Sequence, residues 1–242
     1  MDTRCLQQSG HSASLHAAGD EPCRVLLLPG LDNSGPGHWQ SQWERLPGFS
    51  RVDLGDWAAP RLHEWVPRLD RAVRECPAPL VFAAHSLGCL AVAWWAALSW
   101  VPAFAEKVRG ALLVAPPDVD SLDLDKRLRD FRPLPQGRLP FPSIVIASRT
   151  DPYATFSRSA AMARAWGSEL ADCGPNGHIN AASSLGDWFA GLRMLSRLSG
   201  HDRAQLAEDL RPRAVGDSIP FIIAGPGAQD ENSRHLVVEG EK

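Results

Sequence analysis

The sequence predicts an α/β fold built on an open, mostly parallel, doubly wound sheet. Short apolar runs alternate along the chain with segments whose apolar residues recur at helical spacing. The strand-like runs are apolar at almost every position, which is typical of parallel strands that helices cover on both faces. A chain of 242 residues, 44% of them hydrophobic, is long enough to bury such a core.

The predicted elements follow one another in the order that this fold requires. Strands are predicted over 25–30, 80–84, 111–115, 143–148 and 169–173. Helices are predicted over 38–46, 61–73, 87–101, 155–166 and 183–198. We expect one domain over 23–199, after a flexible leader (1–22) and before an appended, mobile tail (200–242). The run FIIAG in this tail has an alternative role as an added edge strand.

Composition excludes several classes of function. A net charge of −3 gives no basic surface for nucleic acid. The longest apolar run, residues 90–105, is shorter than the roughly 20 residues that span a bilayer, and the first 24 residues lack the apolar core of a secretory signal. The five cysteines are odd in number and show no C-x-x-C spacing, which argues against disulfides and thiolate metal sites. We therefore expect a cytoplasmic protein that binds neither nucleic acid nor membrane. The excess of Arg over Lys is typical of a GC-rich bacterial genome.

The segment AAHSLGC, residues 83–89, makes Ser86 a candidate nucleophile. It follows a predicted buried strand and precedes a predicted buried helix, as the G-x-S-x-G nucleophile elbow does, with Ala84 in the first small position. At such a turn the hydroxyl stands at the carboxyl ends of the strands, where open α/β sheets bind ligands. The alternative is a serine that only caps a helix. The flanking elements favour the nucleophile.

A nucleophilic serine needs a base, and the base needs a carboxylate that orients it. In this fold the acid and then the histidine follow the serine, each on a loop after a later strand. Asp151 and His178 directly follow the last two predicted strands. The sequence therefore predicts Ser86, Asp151 and His178 as the catalytic residues. Asp118 and Asp120 follow an earlier strand and are alternative positions for the acid.

The backbone around the serine predicts an oxyanion hole. The amide of Leu87, at the start of the predicted helix, and that of Leu31, in the loop after the first strand, are the expected donors. Four polar residues are candidates for the pocket wall: Asn33, Ser34, His38 and His85. Turn formation, helix capping and packing beside the serine are their alternative roles. The apolar residues of segment 118–142 predict a small flap over the site.

Several segments resemble a known family. They are LLPGLDNSGPGHWQSQWE, AHSLGC, VAPPDV, LPFPSIVIASRTDPY and GHINAASSLGDWFAGL. Over roughly residues 24–195 the chain resembles the small serine hydrolases related to retinoblastoma-binding protein 9, in the α/β-hydrolase superfamily. The resemblance implies a compact hydrolase without a large cap, and it implies the same three catalytic residues, Ser86, Asp151 and His178.

The expected function is hydrolysis of small carboxylic esters through an acyl-enzyme, without a metal or organic cofactor. Two alternatives stay open at this point. One is a catalytically silent protein-binding module on a hydrolase fold, although none of the cysteines lies in an L-x-C-x-E motif. The other is an acyltransferase or a thioesterase, because the same catalytic residues serve all of these reactions.

Overall fold

The computed structural model describes residues 23–121, 123, 125–199 and, for the backbone, 222–224. The strands are β1 (Arg24–Leu28), β2 (Phe49–Arg51), β3 (Leu80–His85), β4 (Val108–Val114), β5 (Ser143–Ala147), β6 (Glu169–Asp172) and β7 (Ile222–Ala224). The α-helices are α1 (Trp39–Trp43), α2 (Leu62–Glu75), α3 (Leu87–Leu98), α4 (Phe156–Trp166) and α5 (Phe189–Ser199). Short 3₁₀ helices cover Pro102–Phe104, Lys126–Phe131 and Ala181–Ser183.

In the part of the chain that the structure describes, seven strands form one sheet in the order β2-β1-β3-β4-β5-β6-β7. The first six strands are parallel, and β7 is antiparallel to β6. Side chains of α2, α3 and α4 share a hydrophobic core on one face, and those of α1 and α5 share a second core on the other face. The predicted open, mostly parallel, doubly wound sheet is confirmed.

Strand β3 shows why the predicted strands are apolar at every position. Successive side chains of a strand point to opposite faces of the sheet. Leu80, Phe82 and Ala84 belong to the core with α2, α3 and α4, whereas Val81 and Ala83 belong to the core with α1 and α5. Both faces are buried, so a polar residue has no solvent to face along this strand.

The structure differs from the prediction in two local features. A strand over Phe49–Arg51, β2, is absent from the prediction because three half-buried or exposed residues carry no readable period. The helix predicted over 183–198 begins only at Phe189. Gly186 and Trp188 have positive φ angles of 57° and 43°, so the chain turns twice before the helix can start.

The described part of the tail forms an edge strand. Residues Ile222–Ala224 pair with Leu170, Ala171 and Asp172 of β6, which is the alternative role of the FIIAG run. The leader (1–22) and the segments 200–221 and 225–242 lie outside the described residues. The leader, the rest of the tail and the domain boundary at 199 therefore stay predictions.

The apolar side chains described in segment 118–142, where a flap is expected, pack into the core. Phe131, Leu134 and Phe141 are buried in the core that α2, α3 and α4 share. The indole of Trp94 donates a hydrogen bond to the Phe131 carbonyl, and that of Trp166 donates to the Pro135 carbonyl. The apolar side chains of this segment complete the core, so they are not available to cover a site. Leu122 and Leu124 lie outside the described residues.

The strand order reverses at one point in the sheet. The chain leaves β1 for β2 on one side and then forms β3 on the other side, so the strand order reverses at β1. Ligands of open α/β sheets bind at the carboxyl ends of the strands next to such a reversal. Ser86, Asp151 and His178 follow β3, β5 and β6 at this edge. Among the described residues, no helix combines the length and the apolar character needed to cross a bilayer.

Candidate active site

Ser86 is the single residue between β3 and α3, and its backbone is strained. Its φ and ψ angles of 53° and −124° lie in a region that residues other than glycine rarely adopt. Its amide donates a hydrogen bond of 2.9 Å to the Val114 carbonyl of β4. Its side chain makes no capping hydrogen bond to α3, so the helix-capping alternative does not hold. The Ser86 hydroxyl is therefore not engaged with the backbone of the helix.

The turn at Ser86 requires glycine at position 88. A Cβ atom on Gly88 would collide with the Leu28 carbonyl oxygen and would lie only 2.7 Å from the Pro29 oxygen. Helix α3 therefore begins directly against the end of β1. Ala84, where the motif more often has glycine, lies inside β3 and is fully buried, so its methyl group is accommodated in the core.

His178 lies between Ser86 and Asp151. Its Nε2 atom is 2.9 Å from Ser86 Oγ, and its Nδ1 atom is 2.9 and 3.0 Å from the two carboxylate oxygens of Asp151. The side chains of His178 and Asp151 are 8% and 3% exposed. When Nδ1 carries the proton and donates to Asp151, Nε2 accepts from the Ser86 hydroxyl, which is the arrangement that proton transfer from a serine requires.

The two alternative acids have another partner. Arg158 Nε is 3.0 Å from Asp118 Oδ1, and Arg158 Nη2 is 2.9 Å from Asp120 Oδ2. Both carboxylates are thus held by one guanidinium. Within the described residues, the carboxylate that contacts His178 is that of Asp151.

The loops after β5 and β6, which carry the acid and the histidine, are bonded to each other. The Gly177 amide donates to Thr150 Oγ1 at 3.0 Å, and the Asn176 amide donates to Ser148 Oγ at 2.9 Å. Ser148 is almost completely buried. Two hydroxyls of the acid loop therefore fix the backbone of the histidine loop.

Two ring N–H groups hold the backbone at His178. His85 Nε2 donates to the His178 carbonyl at 2.9 Å, and Trp39 Nε1 donates to the Ile179 carbonyl at 3.0 Å. Ile179 between these bonds is fully buried and has a φ of 50°, which is rare for a β-branched residue. His85 is thus packed beside the elbow, with its Nε2 atom engaged.

Gly30 packs closely against Ser86. A Cβ on Gly30 would lie 2.7 Å from Ser86 Cβ, 3.0 Å from the Leu87 nitrogen and 3.1 Å from Ser86 Oγ, so a residue with a side chain does not fit at this position. Leu87 is the first residue of α3, where amides have no intrahelical partner. Within the described chain, the Leu31 amide donates to no backbone acceptor. Both predicted donors are therefore available.

The other pocket candidates serve the loop before α1. Asn33 Oδ1 accepts from Arg51 Nη1 at 2.8 Å, and Ser34 Oγ donates to Gln40 Oε1 at 2.7 Å. His38 Nδ1 accepts from the Gln40 amide at 3.1 Å and so caps α1. His38 thus has a capping role, and Asn33 and Ser34 bond the side chains of Arg51 and Gln40. Their role as pocket walls stays a prediction.

His38 and His85 are buried histidines beside the site. Burial lowers the pKa of His38 to about 4, and the positive charge of Arg51 adds to the effect. Burial also lowers the pKa of His85 well below its usual range. Both rings are neutral near pH 7, so neither opposes a positive charge on His178. His38 Nε2 is buried and has no hydrogen-bond partner among the described residues.

The described residues provide neither a reactive thiolate beside Ser86 nor a group of metal ligands. Burial raises the pKa of the Cys89 thiol well above its usual range, so this cysteine, three residues after Ser86, is not a reactive thiolate. No group of three or more His, Cys, Asp or Glu side chains within the described ranges could hold a metal ion.

Sequence reasoning missed three residues around the site. The ring of Tyr153 is half exposed and lies 4.5 Å, centroid to centroid, from the His178 ring. Trp39 and Gln40 lie on α1, and Gln40 Nε2 donates to the Ala83 carbonyl at 2.9 Å. Tyr153 follows the predicted acid by two positions, which is a usable signal. Nothing local indicates that Trp39 and Gln40 reach the two catalytic loops.

Comparisons with known proteins show the family to which the chain belongs. A family model described as serine hydrolase matches residues 25–197. Among solved structures, a YdeN-like hydrolase from Pectobacterium atrosepticum is 34% identical, with 74% of this chain and 91% of that chain covered and a TM-score of 0.64. The ydeN gene product from B. subtilis is 21% identical, with 74% and 100% covered and a TM-score of 0.60.

A more distant structure shares the fold alone. A thermophilic esterase from Thermogutta terrifontis is 13% identical, with 73% of this chain and 90% of that chain covered and a TM-score of 0.50. A search of curated proteins gave no match.

We predict that the buried His38 makes the protein less stable in mild acid. The pKa of His38 is about 4 in the folded protein and 6.5 in the unfolded chain. Below pH 6.5 the unfolded chain therefore binds a proton that the folded protein does not. The free energy of unfolding should therefore fall, by about 2 kcal/mol from this residue between pH 7 and pH 5. Urea unfolding at the two pH values measures the fall.

The control is His38→Asn, because asparagine can still cap α1 but does not titrate. The fall in unfolding free energy should be smaller in this variant by the same amount, and the remainder should come from other groups such as His85. An identical fall in the two proteins would show that folding does not lower the pKa of His38.

Proposed function

We propose that this chain, which belongs to the serine hydrolase family, hydrolyses small carboxylic esters through a covalent acyl-enzyme on Ser86. The observation that carries the proposal is the continuous hydrogen-bonded chain from Ser86 Oγ through His178 to Asp151, at the carboxyl ends of parallel strands. Its members are buried, and the hydroxyl stands on a strained turn that serves no capping role.

In the first step Ser86 Oγ attacks the ester carbonyl carbon. His178 Nε2, 2.9 Å away, takes the hydroxyl proton as the new C–O bond forms. Asp151 stabilises the resulting imidazolium and keeps Nδ1 protonated. The tetrahedral intermediate then loses its alkoxide, which takes the proton from His178 and leaves as the alcohol, so the acyl group remains on Ser86.

The amides of Leu87 and Leu31 stabilise the negative oxygen of that intermediate. One such donor is typically worth about 3 kcal/mol in the transition state. Gly30 is part of this arrangement because a side chain there would occupy the space between Ser86 Oγ and the Leu87 nitrogen.

In the second step water replaces the alcohol. His178 takes a proton from the water, and the hydroxide attacks the acyl carbon. Collapse of the second intermediate breaks the bond to Ser86 Oγ, which recovers its proton from His178. The products are a carboxylic acid and the free enzyme.

Esters of modest size suit the described site best. An ester expels an alkoxide more readily than an amide expels an amine, so one serine, one base and two amide donors are sufficient. Phe131, Leu134 and Phe141 of segment 118–142 are buried in the core, which leaves fewer apolar side chains for a long acyl chain to contact.

We also propose a subgroup within the serine hydrolases. The sequence motifs that resemble the hydrolases related to retinoblastoma-binding protein 9 support membership of that group. A cytoplasmic location is supported by Cys23, Cys76, Cys89 and Cys173, which are all free thiols.

A panel of p-nitrophenyl esters of increasing acyl length tests the function. We expect the wild type to prefer short acyl groups, and Ser86→Ala and His178→Ala each to lose at least about 1,000-fold in kcat/KM. The double variant should be little worse than either, because the two residues act as a unit. Equal hydrolysis by wild type and Ser86→Ala would exclude the mechanism.

The same panel separates Asp151 from the alternative acids. Asp151→Asn should lose about 100-fold or more in kcat, because the imidazole loses the carboxylate that orients it. Asp118→Asn is the matched control, since its carboxylate contacts Arg158 and not His178. The reverse pattern would assign the acid to the loop after β4.

A glycine substitution tests the oxyanion hole. Gly30→Ala should lower kcat at least about 100-fold, because the new Cβ would lie 2.7 Å from Ser86 Cβ and 3.0 Å from the Leu87 nitrogen and so would push the nucleophile away from the amide that binds the oxyanion. Gly35→Ala in the same loop is the control, because a Cβ there meets no atom within 4 Å. Similar kcat values for the two variants would place the oxyanion elsewhere.

A further inference from the structure

The backbone that follows the histidine is strained. Ile179 has a φ of 50° although it is β-branched and fully buried. This strained residue directly follows His178, whose Nε2 atom lies 2.9 Å from Ser86 Oγ. A conformation of this kind persists only where its surroundings hold it.

Two buried donors hold it, one on each side. His85 Nε2–H bonds the His178 carbonyl at 2.9 Å, and Trp39 Nε1–H bonds the Ile179 carbonyl at 3.0 Å. Both donor side chains are at least 95% buried. Because its partner is a carbonyl oxygen, His85 Nε2 must carry the proton of this bond. Burial lowers the pKa of His85, so the ring is neutral and adds no charge beside His178.

The two donors also connect the histidine to the serine. His85 immediately precedes Ser86 in the chain, so one short segment places both the hydroxyl and the main chain of the base. Trp39 belongs to α1, whose next residue, Gln40, bonds the Ala83 carbonyl of β3. A shift of the histidine loop relative to the elbow would break at least one of these buried hydrogen bonds.

We propose that His85 and Trp39 are positioning residues, which hold the carbonyls of His178 and Ile179 and thereby keep the imidazole on the Ser86 hydroxyl. The proposal rests on the proposed hydrolase function. Loss of either donor leaves a buried carbonyl without a partner, and the strained turn can then relax. A displacement of the base by a fraction of an ångström lowers the rate of proton transfer more than it lowers the binding of an ester.

Trp39→Phe is the first test, and Trp43→Phe is its matched control. Trp43 lies on the same helix, is equally buried, and donates its indole N–H at 2.7 Å to the Asp187 carbonyl, which is outside the histidine turn. With p-nitrophenyl acetate we expect Trp39→Phe to lower kcat about 10- to 100-fold and to change KM less than about twofold. Trp43→Phe should keep kcat within about twofold, even if both variants melt at similarly lower temperatures.

Two substitutions of His85 provide a test that does not depend on the aromatic cluster. Glutamine can place an N–H near the position of His85 Nε2, whereas leucine cannot. His85→Gln should keep kcat within about threefold, and His85→Leu should lose about 10- to 100-fold in kcat with little change in KM. Equal kcat values for the glutamine and leucine variants would overturn the assignment of His85.

A spectroscopic measurement separates this proposal from the hydrolase function. The Nδ1 proton of His178, bonded to Asp151, should give a low-field NMR signal, identified by its loss in His178→Gln. The signal should persist in Trp43→Phe and broaden or disappear in Trp39→Phe and His85→Leu. If the wild type hydrolyses no ester but the signal follows this pattern, the function is wrong and the positioning stands. If signal and kcat are the same in Trp39→Phe and Trp43→Phe, the positioning is wrong and the function stands.

Discussion

The close contact between Gly88 and the end of β1 sets the position of the Ser86 hydroxyl. Because glycine has no side chain, residue 88 can lie against the Leu28 and Pro29 carbonyls, and α3 can begin directly above the first strand. The chain must then pass from β3 into α3 through one residue, and Ser86 takes up the strain. The hydrogen bond from its amide to Val114 ties the turn to the next strand.

Helix α1 joins the elbow to the loops around it. It has only five residues, too few to be stable alone, yet three of its side chains bond distant backbone carbonyls. Trp39 bonds the carbonyl after the histidine, Gln40 bonds a carbonyl in β3, and Trp43 bonds the carbonyl of Asp187. Through Trp39 and Gln40 this short helix relates the nucleophile strand to the histidine loop, whereas Trp43 ties it to the segment before α5.

The parts that sequence predicts well are those with local signals. Apolar runs, turn formers and the order of Ser86, Asp151 and His178 predict which side chains meet, because parallel strands bring their carboxyl ends to one edge. The contact of Trp39 with Ile179 joins residues 140 positions apart and leaves no local pattern. Segment 118–142 shows the same limit: its apolar residues indicate burial but not the surface that they pack against, so the expected flap is part of the core.

The proposed mechanism depends above all on an activated Ser86 hydroxyl that acts as the nucleophile. A fluorophosphonate reacts covalently with such a hydroxyl and forms a stable phosphonyl ester, which peptide mass spectrometry locates. We predict one adduct per chain, on Ser86, that is absent from Ser86→Ala and formed much more slowly in His178→Ala. An adduct on another residue, or folded protein that takes up no label, would contradict it.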